Sequence, residues 1–347
     1  MNFENMRDDD HAVMGDHQDG VIEIEEAFLG YRFPDLPFFC KAGRWEQSFG
    51  TEMFYGDEND TGLMFGYRAA DTLIFTLGHF TNKETKRKRK DHNMSFIKAD
   101  VQPHKRTKVS AFLVCVSEDV GYDERHPKRR HDVRLYNLGI YCKAKIDDFD
   151  LELEGNRQFG SCRDYVDEKD AIEKIDYKGY AVSAKGEVKI GNLRPAIILG
   201  YGSGDRRHYK KGKAYVGYAS DYEPDNIVID NGLAIGSRDT ISNLMFIRFD
   251  LCIKADDKLT IIPGIGYYRH VKEIEVYDYV NVDDKKTKEL VGLSDRIGTE
   301  IDLGLKYVIN RYVYFRFSHG YLFTDEGIGI KNPDNAWKIE ANVTVRF

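Results

Sequence analysis

The last eleven residues, 337–347, alternate apolar and polar side chains without a break. The apolar positions are Trp337, Ile339, Ala341, Val343, Val345 and Phe347, and the polar positions between them are Lys338, Glu340, Asn342, Thr344 and Arg346. Because successive side chains of a β-strand point to opposite faces, this segment predicts a strand with one apolar face and one charged face. The same alternation recurs along most of the chain, so it constrains the fold more than any single motif does.

Fifteen segments of the chain have this strand pattern, and the connections between them alternate in length. The segments are 21–33, 38–49, 63–68, 72–80, 94–101, 108–117, 133–145, 149–159, 177–190, 194–201, 241–255, 259–270, 297–309, 312–323 and 336–347. Short turns such as 34–37 alternate with long polar loops such as 83–92, 202–240 and 271–296. All the long loops would therefore lie at one end of the strands, which is typical of a transmembrane β-barrel and not required of a soluble sandwich. The pattern predicts an all-β fold, a transmembrane antiparallel β-barrel of about 16 strands if residues 1–6 supply part of one more.

The composition narrows the classes of function. The mean hydropathy is −0.53, and no window approaches the roughly eighteen apolar residues of a membrane helix, although the short alternating strands of a membrane barrel would not raise this average. The net charge of −7, from 51 basic and 58 acidic residues, argues against a general nucleic-acid-binding protein. The five cysteines are an odd number without the spacing of metal ligands.

Alternation assigns each side chain to a face but does not say which face points inward. In segment 241–255, Ile247, Phe249 and Leu251 lie opposite Arg248 and Asp250. In a membrane barrel the apolar face meets lipid and the charged face lines a wet lumen. In a soluble barrel that binds an apolar ligand, every assignment is inverted. The one-sided loops and the final strand favour the membrane arrangement.

Several motifs along the predicted strands resemble the alginate-export family of Gram-negative outer-membrane barrels and related porins. They are Ile24-Glu25-Glu26-Ala27-Phe28-Leu29 with Lys41-Ala42-Gly43-Arg44, then Leu199-Gly200-Tyr201-Gly202-Ser203-Gly204-Asp205, then Ile297-Gly298-Thr299-Glu300-Ile301-Asp302-Leu303, together with the final strand. Trp45 stands where the family's Gly-Arg-Gln element has Gln. The resemblance implies a barrel of about eighteen strands in the complete protein and passive passage of a solute, an anionic polysaccharide in the namesake branch.

The resemblance and the strand count also set an expectation for the start of the chain. The first residues lack the basic and apolar regions of a secretory signal. Bacterial barrels have an even number of strands, and the first full segment must run toward the short-turn end. We therefore expect residues 1–347 to form a single outer-membrane barrel domain that lacks N-terminal strands and a signal peptide.

The charged face of the strands supplies the candidate pore residues. They are Arg32, Arg44, Arg68, Lys143, Lys185, Lys189, Arg248, Asp250, Lys254, Glu300, Asp302, Lys306, Arg316, Lys338, Glu340 and Arg346. Basic residues exceed acidic ones on this face, and charged rings in a pore set its ion selectivity, so the lumen is predicted to prefer anions. Opposite charges on neighbouring strands could instead pair with each other and stiffen the wall.

No motif indicates catalysis, a metal site or a cofactor, and we predict that the protein is not an enzyme. The run Lys86-Arg87-Lys88-Arg89-Lys90 lies in a predicted extracellular loop, where it would be solvated or contact anionic lipopolysaccharide. The leading hypothesis is a passive outer-membrane channel for solutes, including anionic saccharides, with outer-membrane lipid and lipopolysaccharide as partners. The alternatives are a surface anchor or adhesin whose barrel is plugged by its loops, and the soluble ligand-binding barrel.

Overall fold

The computed structural model describes residues 26–56, 58–83, 92–120, 129–166, 173–205, 213–217, 222, 228–229, 241–282 and 285–345. Within them the chain forms sixteen β-strands and one short 3₁₀ turn, Glu326–Ile328. No helix in this part of the chain is long and apolar enough to cross a membrane. The fold is all-β, as the alternation predicts.

The strands follow one another around a single antiparallel sheet. They are β1 (Ala27–Arg32), β2 (Phe38–Gln47), β3 (Glu58–Ala70), β4 (Leu73–Lys83), β5 (His92–His104), β6 (Thr107–Val120), β7 (Arg129–Ile146), β8 (Phe149–Val166), β9 (Glu173–Tyr177), β10 (Tyr180–Val188), β11 (Leu193–Gly202), β12 (Leu244–Lys254), β13 (Leu259–Val282), β14 (Lys285–Val308), β15 (Val313–Thr324) and β16 (Ala336–Val345). Each strand pairs with the next, except that β8 pairs with both β9 and β10 at different heights. Short turns join β1 to β2, β3 to β4, β5 to β6, β7 to β8, β10 to β11, β12 to β13 and β14 to β15, all at one end of the sheet, and the longest connections lie at the opposite end, as predicted.

Two stretches predicted to lie in loops are strands. The predicted loop 271–296 contains the ends of β13 and β14, which pair as one long hairpin up to Val282 and Lys285. Residues 173–177 form β9 beside the upper part of β8. In the β14 part of this hairpin apolar Leu290 and Val291 are adjacent, so the period-two apolar pattern that identified the other strands is absent there.

The apolar face of the sheet points outward. Ile247 and Phe249 are 53% and 43% exposed, whereas Arg248 between them is 3% exposed and Asp250 is 7% exposed. Leu303, Ile339 and Val343 are exposed in the same way, while Leu251 and Leu305 are half-buried. The soluble barrel requires these apolar side chains to form a core, so the soluble hypothesis is wrong on this point.

The two edge strands lie at the ends of the sheet. β1 pairs with β2, β16 pairs with β15, and within the described residues no ladder joins β1 to β16. The proposed strand remnant 1–6, residues 21–25 of the first predicted strand and the basic run 86–90 lie outside the described residues.

Candidate pore lumen

A row of mainly basic side chains crosses the inner face of the sheet, and we call Lys108, Lys143, Lys185 and Arg248 the basic row. Lys108 lies directly opposite Lys143. The register then continues through Glu152 to Lys185, and through Ile198 to Arg248. Lys108 is near the short-turn end of β6, whereas Arg248 is near the middle of β12, so the row rises along the wall as the strands tilt.

An acidic row lies beside the basic row, two residues nearer the short turns on each strand. It consists of Asp150, Glu187, Asp250 and Asp302. Asp150 lies directly opposite Glu187, and the register continues through Ala196 to Asp250 and through Gly264 to Asp302. The inner wall is therefore striped by charge, and an ion that follows it would meet one sign and then the other.

Much of this charge is paired within the wall. Arg248 lies between Asp250, at 2.8 Å from Nη2 to Oδ1, and Asp302, which its Nη1 contacts. Lys143 Nζ lies 3.6 Å from Glu152 Oε1, but 62% of the Lys143 side chain stays exposed. Arg248 is thus a buried structural cross-link, whereas Lys143 remains accessible to a solute.

A second group of cations lies near the short-turn end of the lumen. Lys306 on β14 is directly opposite Arg316 on β15, and both cations lie over the ring of Tyr314, at 4.8 and 5.2 Å from its centroid. Within the part of the chain that the structure describes, neither cation forms an ion pair with a carboxylate. Two neighbouring cations without such a counter-ion attract anions to this end of the lumen.

The connection between β2 and β3, residues 48–56, folds into the lumen, and we call it loop A. Its side chains Phe49, Met53, Phe54 and Tyr55 are completely buried. The Phe49 ring lies 5.0 Å from the ring of Phe96 and 5.4 Å from that of Phe112, both on the inner wall. Burial of this apolar surface holds loop A inside the barrel and not above it.

Loop A ends its crossing of the lumen at Glu154 on β8. The Thr51 hydroxyl donates a hydrogen bond to Glu154 Oε2 at 2.7 Å, and the Thr51 backbone N–H donates to the same oxygen. Gly50 has φ +64°, and a Cβ there would collide with the Glu154 carboxylate. The glycine therefore permits both the turn and the close approach.

The connection between β11 and β12, which we call loop B (residues 203–243), also enters the lumen in its described parts. The Gln158 side chain on β8 exchanges two hydrogen bonds with the Val216 backbone, at 2.6 and 2.9 Å. On the other side, Glu300 on β14 accepts the backbone N–H groups of Val228 at 2.7 Å and Ile229 at 3.2 Å. The described parts of loop B thus contact the inner wall at both β8 and β14.

The two loops come together around Glu154. Tyr215 of loop B is completely buried, and its burial and the nearby negative charge of Glu154 both raise the pKa of its hydroxyl. Glu154 itself accepts from Thr51 of loop A and from Asn156 Nδ2 at 2.6 Å. One carboxylate on the wall therefore contacts loop A directly and acts on loop B electrostatically. The two loops narrow the lumen at this height.

The other predicted pore residues are mostly on the inner face, in more open surroundings. Arg32, Arg68, Lys254 and Glu340 follow the inward register, and Lys338 does so with its Nζ 2.7 Å from Glu340 Oε1. Lys189 is exposed in the turn after β10. Arg346 lies outside the described residues.

The structure corrects the prediction for Arg44. Arg44 lies directly opposite Thr61 on the outward face, whereas Trp45 packs against the inward Phe80 with ring centroids 4.8 Å apart. Segment 38–49 is apolar at both odd and even positions, so its alternation did not identify the inner face. The inward cation of this strand is Lys41, whose Nζ lies 3.6 Å from the centroid of Phe28.

Sequence reasoning also missed the apolar half of the lumen. The inner wall of β4, β5 and β6 carries Phe80, Phe96, Phe112 and Val114, all of them buried. A strand between lipid and a wet lumen should be polar on alternate residues, yet residues 111–116 are apolar throughout. That continuous run was the available signal that something apolar, here loop A, covers the inner wall.

Among the described residues no three His, Cys, Asp or Glu side chains converge to hold a metal ion. The accessible charged groups, Lys143, Lys306 and Arg316, can attract and orient an anion. The two loops restrict its size.

Solved structures with a similar fold are outer-membrane porins of the OccK group from Pseudomonas aeruginosa. OccK3 (OpdO) aligns with a TM-score of 0.51 at 13% identity, covering 89% of this chain and 76% of that chain. OccK5 (OpdH) has a TM-score of 0.51 at 12% identity, covering 90% and 79%, and OccK10 (OpdN) has 0.51 at 10% identity, covering 92% and 83%. No protein-family model and no curated protein matches the sequence.

At these identities the likeness establishes the fold. The neighbours are OccK porins, so the closer resemblance to the alginate-export family is not established by them. The outward apolar belt, the one-sided loops and the shared topology agree with one another. The chain has the fold of a Gram-negative outer-membrane porin β-barrel.

Proposed function

We propose that this protein is a passive channel of the outer membrane that admits small anionic solutes. The observation that carries the proposal is the inner wall, where Lys143, Lys306 and Arg316 present accessible cations inside a chain of net charge −7. Accessible cations in a lumen with low-dielectric walls attract anions. The porin fold of the neighbours supports a channel rather than an enzyme.

The size of the solute is limited by the loops. Loop A and loop B fill part of the lumen between β4 and β14, with Phe49 and Tyr215 completely buried. An extended polysaccharide such as alginate needs a wide, continuous passage, whereas a single sugar acid or an aromatic acid does not. Among the structural neighbours, OpdK has been crystallised with vanillate, a small carboxylate, at 12% identity and a TM-score of 0.50. We therefore favour monomeric anionic saccharides and other small carboxylates over the polymer.

A plugged barrel that serves as a surface anchor is the second candidate. The inward position of loops A and B favours it, because both are fixed to the wall by buried hydrogen bonds at Glu154 and Glu300. The two functions differ in one measurable property, since a plugged barrel passes no steady ion current.

The remaining expectations belong to the same proposal. A single barrel domain over residues 1–347, placed in the outer membrane with its apolar belt in lipid, accounts for the exposed Ile247 and Phe249. The long-loop end would then face lipopolysaccharide. The proposed function involves no nucleic acid and no cofactor.

Single-channel recording in planar lipid bilayers tests the proposal. With a KCl gradient, we expect steady conductance and a reversal potential that shows preference for chloride. Lys143→Gln should reduce that preference, because it removes an exposed charge from the narrow part of the wall. The matched control is Lys105→Gln in the exposed turn before β6, outside the lumen, which should leave the reversal potential unchanged. Cation preference in the unmodified protein would contradict the proposal, and absence of current would favour the plugged barrel.

A further inference from the structure

A groove of about 740 Å³ lies on the outer surface of the barrel, across β7, β8, β10, β11, β12 and β13. Two rows of outward side chains form its floor and walls. The upper row is Ile140, Gly155, Val182, Tyr201, Met245 and Arg269, and the lower row is Cys142, Leu153, Ala184, Leu199, Ile247 and Tyr267. The groove opens on the outer surface, because twelve of its sixteen lining residues lie on the outward face, and the other four, Glu154, Ser183, Gly200 and Phe246, lie between them along the strands.

The groove exists because two outward positions in its floor are small. Gly155 on β8 and Ala184 on β10 interrupt a belt otherwise made of large apolar residues such as Leu153 and Val182. A Cβ on Gly155 would have its closest contact, Val182 Cγ1, at 3.8 Å, so no steric demand of the fold requires glycine there. The depression is therefore available to something outside the barrel.

A cation that forms no ion pair with any described residue lies directly above this depression. Arg157 is two residues above Gly155 on the same face of β8, is exposed, and lies opposite Leu138 and Tyr180 on the adjacent strands. Its guanidinium is 5.8 Å from the centroid of the Tyr180 ring, and no described residue forms an ion pair with it. A guanidinium among apolar outward side chains needs an anion from the surroundings.

Tyrosine side chains define the height of this site in the membrane. The rings of Tyr180 and Tyr201 stack with centroids 5.6 Å apart, and their hydroxyls are 3.4 Å apart. Tyr136 and Phe159 stack beside them at 5.1 Å. Aromatic girdles of this kind lie at the boundary between acyl chains and headgroups. Arg157 is therefore at headgroup depth, on the long-loop side, while Gly155 and Ala184 are at acyl-chain depth.

We propose that this groove binds a phosphorylated lipid of the outer leaflet, the lipid A part of lipopolysaccharide, with one acyl chain over Gly155 and Ala184 and a phosphate beside Arg157. The proposal rests on the outer-membrane location in the proposed function but not on conduction. The apolar floor fits a hydrocarbon chain, and the unpaired cation above it fits a phosphate. A second copy of the chain would have to supply both an apolar group for the floor and an anionic group for Arg157 from its own outward apolar face. It is therefore the less suitable occupant.

Native mass spectrometry of the full chain in detergent, titrated with diphosphoryl lipid A, tests this site. We expect the unmodified barrel to retain one lipid A molecule and Gly155→Leu, which fills the floor, to lose it. Arg157→Gln should weaken retention by roughly fivefold, since one cation near a lipid headgroup is removed. Ala184→Leu provides a second way to fill the groove if Gly155→Leu folds poorly.

Two matched controls accompany these variants. Ala341→Leu enlarges an exposed outward alanine on β16, away from the groove, and Arg311→Gln removes another arginine beside a tyrosine ring, 4.5 Å from Tyr312, at the short-turn end. Both should retain lipid A as the unmodified protein does. Equal retention by Gly155→Leu, equal binding of lipid A stripped of its phosphates, or a dimer that Gly155→Leu disrupts would each overturn the proposal. Single-channel current should be the same in all these variants, so a failed channel hypothesis would be recognised separately.

Discussion

Thr51 and Glu154, 103 residues apart in sequence, are joined by two hydrogen bonds inside the barrel. Thr51 belongs to loop A, whereas Glu154 belongs to the wall on β8 and is 4% exposed. A buried carboxylate that accepts a backbone N–H and a hydroxyl from the same residue fixes the loop in one position. This contact determines how far loop A extends across the lumen.

Replacing Glu154 should widen the channel. In Glu154→Ala the two donors of the half-buried Thr51 lose their acceptor, at a cost of up to about 1–3 kcal/mol for each group left without water or another partner. Loop A should then leave the wall for part of the time, and single-channel recordings should show higher and noisier conductance. Thr51→Val removes the hydroxyl donor and keeps the N–H, so its effect should have the same direction and be smaller. Unchanged conductance in Glu154→Ala would mean that loop A does not limit the current.

Removing the cation pair near the short turns should weaken anion entry from that side. The double variant Lys306→Gln, Arg316→Gln deletes two neighbouring charges that have no carboxylate partner among the described residues. With the protein inserted in one orientation, we expect the chloride preference to fall several-fold, and to fall less in 1 M salt, where the Debye length is about 3 Å. Lys331→Gln is the control, because Lys331 is at the long-loop end and its charge is paired with Asp278 at 3.1 Å. An equal fall of the chloride preference in the double variant and in Lys331→Gln would show that the effect does not depend on charge at the short-turn end.

Sequence reasoning predicted the wall of this barrel better than its contents. Residues in contact with lipid on one side and water on the other must alternate, so the outward Ile247 and the inward Arg248 could both be assigned in advance. Phe112 is inward and apolar because loop A covers it, and that contact joins segments far apart in sequence. Alternation shows whether each face of a strand contacts lipid or water. It does not show that a distant loop covers the inner face in place of water.

The same reasoning explains Arg44 and the long hairpin. Around Arg44 both faces of β2 are apolar, since Trp45 packs inside and Cys40 lies outside, and the period-two signal disappears. In the part of β14 within residues 271–296, apolar Leu290 and Val291 are adjacent and therefore lie on opposite faces, so the two faces do not differ in polarity there. A strand with the same environment on both sides cannot be oriented, or even recognised, from alternation alone.

The turn between β12 and β13 should stabilise the fold in a pH-dependent way. Asp256 Oδ1 accepts the backbone N–H groups of Lys258 at 2.7 Å and Leu259 at 2.8 Å, and these hydrogen bonds lower the pKa of its carboxyl. A lowered pKa in the folded state means that the stabilisation is present above the ordinary value of about 3.9 and is lost as the pH falls through the folded-state pKa. The urea midpoint of the unmodified protein should therefore exceed that of Asp256→Ala at pH 7, and the difference should shrink in acid. Asp256→Asn keeps an acceptor and should show no such pH dependence, and a difference that persists in acid would point to another cause.

Arg248→Met should destabilise the barrel more than any exposed ion-pair variant. Arg248 is 3% exposed and is held between Asp250 and Asp302, so its removal leaves two buried carboxylates without their cation. Breaking a buried charge network in this way costs about 3–5 kcal/mol. Lys338→Met is the matched comparison, because Lys338 and Glu340 form a pair on the same inner face at 2.7 Å but remain partly exposed, and such pairs contribute about 0–1 kcal/mol. Urea unfolding in detergent micelles, followed by loss of β-sheet circular dichroism, measures both. Equal stability of the two variants would show that Arg248 is solvated in the lumen and does not cross-link its wall.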